Sequence, residues 1–242
     1  MLDYDGTLAP FHREREKAVF YPGVREILEQ IMRSDNSRIV IISGRAIADL
    51  IPLLGFSEMP EIWGSHGWER RAPDGSYSIM PANESHLKGL ADADFLIEKM
   101  NFGIYREEKP NSLALHWRGE SEKEKTAIRK FARKDLKRIA VDFGLDLDYF
   151  DGGVELRVPG KNKGDVVKAI IEESPPNSFL AYLGDDLTDE DAFGAIADHG
   201  LGVLVRHKRR PTKAKLHLLP PSELLRFLDI WNQATRSGGY QD

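Results

Sequence analysis

The sequence predicts an α/β fold: a Rossmann-like core built on a parallel sheet and interrupted by an inserted α+β module. Three observations lead to it. Short apolar, β-branched runs alternate with helical periodicity over residues 1–80, and the alternation resumes over 160–242. Three of those runs end in acidic or small residues, at Asp3, at Ser43-Gly44 and at Gly184-Asp185-Asp186. Between 81 and 159 the alternation stops, and strands cluster with two long helical stretches.

Taken in order, Leu2-Asp3-Tyr4 reads as the tail of a strand, and Val24, Ile27, Leu28 and Ile31 fall at the spacing of a helix over 23–33. Residues 38–42 are continuously apolar after Arg38, which suits a strand buried on both faces. A helix over 46–54 and a strand over 61–65 follow. The middle block reads as a helix (84–100), strands (103–107 and 112–117), a charged helix (121–142), then strands 146–150 and 154–158 flanking Asp151-Gly152-Gly153, a hairpin signal. The last third returns to alternation: helix 163–172, strand 179–183, helix 189–197, strand 202–205 and helix 222–231. The expected organisation is core 1–80, inserted module 81–159 and core 160–242, with hinges near Pro81–Asn83 and Pro159–Asn162.

Composition narrows the function classes. Hydrophobic residues make up 41% and charged residues 30% of 242, which describes a water-soluble globular chain. No apolar run approaches the ~20 residues that span a bilayer. The net charge of -5 argues against nucleic acid as partner. With no cysteine there is neither a disulfide framework nor a thiolate metal site, and a cytoplasmic location is expected. One basic stretch, His207-Lys208-Arg209-Arg210 with Lys213 and Lys215, reads as a solvated loop.

The chemistry-bearing residues sit at the ends of predicted strands or starts of helices, where α/β sheets bind ligands. Asp3 and Asp5 are two apart at a strand end, so both carboxylates share one face. Gly6 lets the chain turn sharply, and Thr7 offers a hydroxyl. Ser43-Gly44, Lys163-Gly164 and Gly184-Asp185-Asp186 with Asp189 complete the set. Together they suit phosphoryl transfer. An ionised carboxylate is a nucleophile that needs no base. Its repulsion from a phosphate dianion is relieved by magnesium, which prefers oxygen ligands such as Asp3 and Asp185. Asp5 can serve as acid and then base. Ser43 and the N–H groups near Gly44 can hold phosphoryl oxygens, and Lys163 can neutralise charge.

This ordered set resembles the haloacid dehalogenase (HAD) superfamily of phosphatases: Asp3-Tyr4-Asp5-Gly6-Thr7-Leu8, Ser43, Lys163 and Gly184-Asp185-Asp186-Leu187-Thr188-Asp189. The resemblance implies Asp3 as nucleophile, Asp5 as general acid/base, and Mg2+ bound by the Asp3 carboxylate, the Asp5 backbone carbonyl and Asp185, with Asp186 beside them. Further segments resemble the trehalose-6-phosphate phosphatase family over nearly the whole chain: Gly64-Ser65-His66-Gly67-Trp68-Glu69, Leu113-Ala114-Leu115-His116-Trp117-Arg118, Glu155-Leu156-Arg157 before Lys163-Gly164, and Thr188-Asp189-Glu190-Asp191-Ala192-Phe193. That family implies an α/β cap between the second and third motifs, and hydrolysis of trehalose 6-phosphate.

The polar residues of these segments suit a sugar. The expected substrate contacts are Tyr4, Gly44, Arg45, His66, Gly67, Glu69, His116, Arg118, Glu155, Arg157 and Asn162, with Arg157 also able to pair with Glu155 on one strand face. Trp63 and Trp68 read as packing. The resemblance also leaves room for a trehalose-phosphate synthase partner, for a monomer, for a phosphatase of another sugar phosphate, and for a regulatory domain without activity. The chain departs from the family in its first strand, since only Met1 and Leu2 precede Asp3. A start upstream, or a trimmed sequence, is expected on that ground.

Overall fold

The computed structural model describes residues 1–237 except Arg13, Asp35 and Asp151. The chain divides into two compact units, one of Met1–Ser78 with Asn162–Asp242 and one of Ile79–Lys161. In chain order the elements are α1 (Val24–Met32), β1 (Val40–Ile42), α2 (Ile47–Leu54), β2 (Glu61–Gly64), β3 (Glu69–Arg71), β4 (Tyr77–Ile79), α3 (Glu84–Lys99), β5 (Arg106–Lys109), β6 (Ser112–His116), α4 (Glu122–Phe131), α5 (Lys137–Phe143), β7 (Asp146–Phe150), β8 (Gly153–Arg157), α6 (Lys163–Glu173), β9 (Leu180–Gly184), α7 (Glu190–Ile196), β10 (Gly200–Val205), β11 (Leu216–Leu218) and α8 (Ser222–Ser237).

In the first unit β1 pairs with β2, and β10 with β9 and β11, all parallel. Leu2 joins the two halves by parallel bridges to Ile41 and Leu183. Leu2 N–H donates to Val40 O, and Ile42 N–H to Leu2 O, each at 2.8 Å. The strand tail expected there is thus present as one bridging residue. The strands are apolar on both faces because both are covered. Period-two geometry sends Leu2, Ile41, Ile62, Leu183, Val203 and Val205 to one face, against α1, α2 and α8. It sends Val40, Ile42, Trp63, Tyr182 and Leu204 to the other, against α6 and α7. Each helix supplies one buried stripe, as with Val24, Leu28 and Ile31 on α1.

The second unit is an antiparallel sheet of order β5-β6-β8-β7 with α3, α4 and α5. Helix α3 comes close to α5 because position 89 is glycine: a Cβ there would lie 2.6 Å from Phe143 Cβ. Helix α4 starts on a capping box in which the Ser121 hydroxyl accepts from Glu124 N–H and Glu124 reaches back.

Several boundaries differ from expectation. Residues 103–105 form a 3-10 turn, and the strand begins at Arg106. The charged helix is interrupted by a π-helical turn, Ala132–Leu136. The expected β7–β8 hairpin pairs antiparallel, while Asp151 of its turn signal lies outside the described residues. Strands β3, β4 and β11 were not expected; each has three residues and no alternating run to reveal it. No helix among the described residues is long and apolar enough to cross a membrane.

The two-faced burial of the parallel sheet sets a stability expectation. Ile41→Ala, in the fully buried strand beside Leu2, should lower the unfolding free energy by about 2–5 kcal/mol in urea denaturation. Ile230→Ala, on the exposed side of α8, should change it by less than about 0.5 kcal/mol. Equal losses would contradict this packing.

Candidate active site

Asp3 follows the Leu2 bridge and is buried. Its two oxygens have different partners: Oδ1 accepts from Lys163 Nζ at 2.6 Å, and Oδ2 from the Thr7 hydroxyl at 2.9 Å. The turn that returns Thr7 to Asp3 passes through Gly6 at φ +84°, where a Cβ would lie 2.3 Å from Asp185 Oδ2. Only glycine satisfies both the backbone angle and that approach.

Lys163 is the first residue of α6. A capping box fixes it there: Asn162 Oδ1 accepts from Asp165 N–H at 3.0 Å, and Asp165 accepts from Asn162 N–H at 3.2 Å. Its ammonium lies between Asp3 and Asp189, donating to Asp189 Oδ1 at 2.7 Å. Asp189 is fully committed. Its Oδ1 also accepts from the Tyr182 hydroxyl at 2.6 Å, and its Oδ2 from the N–H groups of Asp185 and Asp186, both at 2.9 Å. It therefore shapes the loop that presents Asp185.

Ligand atoms of Asp3, Asp185 and Asp189 lie within 4.8 Å of one another. Three buried carboxylates, if all were ionised, would leave two negative charges uncompensated by the one ammonium. The titration of the group reflects this. Burial, with the neighbouring carboxylates, pushes Asp185 up to about 9. Burial also lifts Asp3 to about 7, against the pull of Lys163. Burial alone would lower Lys163, but Asp189 and Asp3 hold it above the usual lysine range. Asp189 is held below the carboxylate range because Lys163 and its hydrogen bonds outweigh burial. A divalent cation with oxygen preference matches both the charge and the donors.

Ser43 follows β1 and is buried; its Oγ accepts from Arg45 N–H at 3.1 Å, which leaves its own proton to donate. Asp5 is gripped by Arg45, Nε to Oδ2 and Nη2 to Oδ1, both at 2.6 Å, while Arg45 Nη1 donates to Arg15 O at 2.9 Å. The expectation of a sugar contact for Arg45 meets a guanidinium already forked onto a carboxylate. His66 and Gly67 form the turn after β2, with the His66 ring against Gly44.

Other expected contacts fall elsewhere. The Tyr4 ring is in the core, edge-on to Phe20, and its hydroxyl donates to Ala18 O at 2.7 Å. Glu69 is buried and accepts from Ile47 N–H, the Tyr77 hydroxyl and the Ser65 hydroxyl. Asn162 is the cap described above. Asp186 lies outside the buried cluster, its side chain about half exposed, because the residue after Asp185 at a strand end points the other way. The basic stretch is more than a solvated loop: Arg210 donates to Asp186 O and Glu190, and Arg206, just before the stretch, donates to Asp185 O.

In the second unit, cross-strand register collects polar residues on one sheet face. Lys109 opposes Ser112, Ser112 opposes Arg157, and Ala114 opposes Glu155. His116 and Glu107 share that face, His116 Nε2 lying 2.6 Å from Glu107 Oε2. Glu155 Oε1 accepts from Lys109 Nζ and the Ser112 hydroxyl, both at 2.7 Å. Arg157 donates across the sheet to Asp148 at 2.6 Å. Arg118 lies beyond β6, its side chain against Gly152. Lys109 and Ser112 were not among the expected residues; Lys109 next to Pro110-Asn111 carries no sequence signal by itself.

The trehalose-phosphatase family model matches residues 1–222. A trehalose-phosphate phosphatase of Mycobacterium tuberculosis is 29% identical over 249 residues, covering 94% of this chain and 59% of that protein. The chain thus spans about three-fifths of the length of the curated relatives it matches. Among solved structures, a trehalose-6-phosphate phosphatase related protein superposes with a TM-score of 0.77 at 25% identity, covering 98% of both chains. The C-terminal domain of trehalose-6-phosphate phosphatase from C. albicans shares the fold, with a TM-score of 0.76 at 22% identity over 96% of this chain and 90% of that one.

The ion cluster makes a stability prediction. Lys163→Met strands Asp3 and Asp189 without their cation and should cost about 3–5 kcal/mol in chemical denaturation at pH 7. A loss under about 1 kcal/mol would mean that Lys163 is not the counter-charge of this cluster.

Proposed function

We propose that this chain, which belongs to the trehalose-phosphatase family, hydrolyses trehalose 6-phosphate to trehalose and phosphate. One observation carries the reading: a buried cluster of three carboxyl groups, Asp3, Asp185 and Asp189, around the Lys163 ammonium, with Asp5 two residues from Asp3. A nucleophile, a counter-charge and an acid/base are thereby within one loop cluster at the sheet's carboxyl edge.

Magnesium fits the donor set. The Asp3 and Asp185 carboxylates and the Asp5 backbone carbonyl would hold it; Asp189, its oxygens already taken, would orient the loop. When bound, magnesium supplies charge neutralisation between the Asp3 carboxylate and the phosphoryl dianion. The remaining steps belong to the chain. Asp3 attacks phosphorus, its carboxylate fixed by Lys163 and Thr7, and the ester P–O bond breaks. Asp5, released from the Arg45 fork and protonated, gives that proton to the departing sugar oxygen. It then takes one from the water that attacks the aspartyl phosphate, which releases phosphate and restores Asp3. The Ser43 hydroxyl donates to a phosphoryl oxygen, and Lys163 offsets charge on the nucleophile.

For the sugar, the reading is supported by the names of the relatives, a trehalose-phosphate phosphatase and a trehalose-6-phosphate phosphatase related protein.

The test is a substrate panel of trehalose 6-phosphate, glucose 6-phosphate and glucosyl-phosphoglycerate, with magnesium and with EDTA. Trehalose 6-phosphate is expected to be the best substrate, and EDTA to abolish turnover. Asp3→Asn should release no phosphate while keeping its far-ultraviolet circular dichroism. Preference for another sugar phosphate would move the substrate assignment; activity in Asp3→Asn would remove the nucleophile.

A further inference from the structure

The basic stretch after β10 is only partly accounted for by its bonds to the Asp185 loop. Residues 199–222 hold six of the chain's 34 Lys and Arg and none of its 39 Asp and Glu. In a chain of net charge -5 this is a local reversal of sign. The fold places it beside the site. Strand β10 runs parallel to β9 with Leu204 opposite Gly184, so the residues after Val205 leave the sheet at the same carboxyl edge as Asp185.

Both ends of the segment are fastened there. Arg206 Nη1 donates to Asp185 O at 3.2 Å, and Arg210 Nη2 to Asp186 O at 2.6 Å. Consecutive Cα atoms are about 3.8 Å apart, so His207, Lys208 and Arg209 each stand within about 8 Å of a fastened residue. The ends are also matched in charge: Arg210 pairs with Glu190, and Arg206 lies 3.7 Å from Asp186 Oδ1. The middle is not. Lys208 and Arg209 are exposed. Arg209 donates to Nδ1 of His217 at 3.2 Å, an acceptor without charge, and Lys208 has no ion pair among the described residues. A loop pinned at both ends thus holds two unbalanced positive charges at the rim of the site.

A phosphate monoester approaches as a dianion. It meets a protein of its own sign and a sheet edge that bears the carboxyl groups of Asp3, Asp5, Asp185 and Asp186. Fixed charges beside a cleft raise the local concentration of an oppositely charged substrate. A polyanionic macromolecule would call for a broad basic face with many phosphate contacts; here the excess is two side chains on one loop.

We propose that Lys208 and Arg209 form an electrostatic guide that draws the phosphate dianion of the substrate to the Asp3 site. They act through charge at a distance and touch neither the reacting atoms nor the sugar. The inference rests on the phosphatase reading above.

The test is the salt dependence of kcat and KM in wild type and in Lys208→Gln/Arg209→Gln, with trehalose 6-phosphate and with p-nitrophenyl phosphate, which has the dianion but no sugar. Between about 10 mM and about 1 M salt the screening length falls from about 30 Å to about 3 Å. At low salt the variant should show KM raised about fivefold with kcat unchanged, by the same factor on both substrates. At high salt the difference should vanish. Lys208→Arg/Arg209→Lys keeps both charges and should behave as wild type, which a role in packing or hydrogen bonding would not allow. A neutralised variant with the KM and salt slope of wild type overturns the proposal. So does a fall in kcat that persists at high salt, or a loss confined to the sugar phosphate, since either means contact and not field. If wild type prefers another phosphate ester, the trehalose assignment falls, and the salt series on that ester still decides the guide. If wild type hydrolyses no phosphate ester, the phosphatase reading falls and takes the guide with it.

Discussion

The Lys163 ammonium, buried between Asp3 and Asp189, is the contact on which the site depends. It joins three stretches of chain that are distant in sequence: the residue after the first bridge, the start of α6 and the turn before α7. Such a cluster does little for stability in its own right, because desolvating the charges offsets most of their attraction. Its retention in the interior of an otherwise apolar core is better understood through the charge it leaves over. One lysine cannot balance three carboxylates, and in this buried setting the excess raises Asp185 and Asp3 toward their protonated forms. A hard divalent ion would complete what the chain leaves incomplete.

The sheet supplies the geometry. The carboxyl groups of the cluster follow strands of the parallel sheet, Asp3 after the Leu2 bridge and Asp185 and Asp189 in the loop after β9, while Lys163 enters from the start of α6, and Leu2 links β1 to β9. Backbone donors then finish the work of the side chains. Asp189 holds the N–H groups of Asp185 and Asp186 while Arg206 and Arg210 hold their carbonyls, so the peptide presenting Asp185 is pinned from both sides. Gly6 allows Asp185 to approach closer than any side chain would permit.

The parallel strands and the helices that cover them were legible in the sequence because continuous apolar runs and 3.6-residue spacing are local signals. So were Asp3, Ser43, Lys163 and Asp185, each at a strand end or helix start. What escaped depended on long-range partners. Nothing near Arg45 in sequence announces that it will grip Asp5, 40 residues earlier. Asp185 and Asp186 look equivalent as text, and only the alternation of a strand end turns one inward and the other out. Lys109 becomes part of a polar cluster through the register of β5 with β6 and of β6 with β8, which no single segment encodes. Three-residue strands such as β3 and β11 have too few positions to show a period at all.

The pair Asp3 and Asp5 shows how one local pattern yields two chemical environments. Both stand at the same strand end, two residues apart. The Asp3 side chain is 5% exposed and meets an ammonium and a hydroxyl; the Asp5 side chain is 26% exposed and meets a guanidinium fork. A nucleophile gains from being fixed and dry, since lost hydration raises its reactivity toward phosphorus. An acid/base that serves two half-reactions has to reach the departing oxygen and then a water, so contact with solvent suits it. The fork on Asp5 defines where that carboxylate rests, and its anchor on Arg15 O ties the resting place to the loop that follows the nucleophile. The difference between the environments of the two carboxylates therefore lies in their partners, Lys163 and Arg45, and not in the Asp-Tyr-Asp spacing.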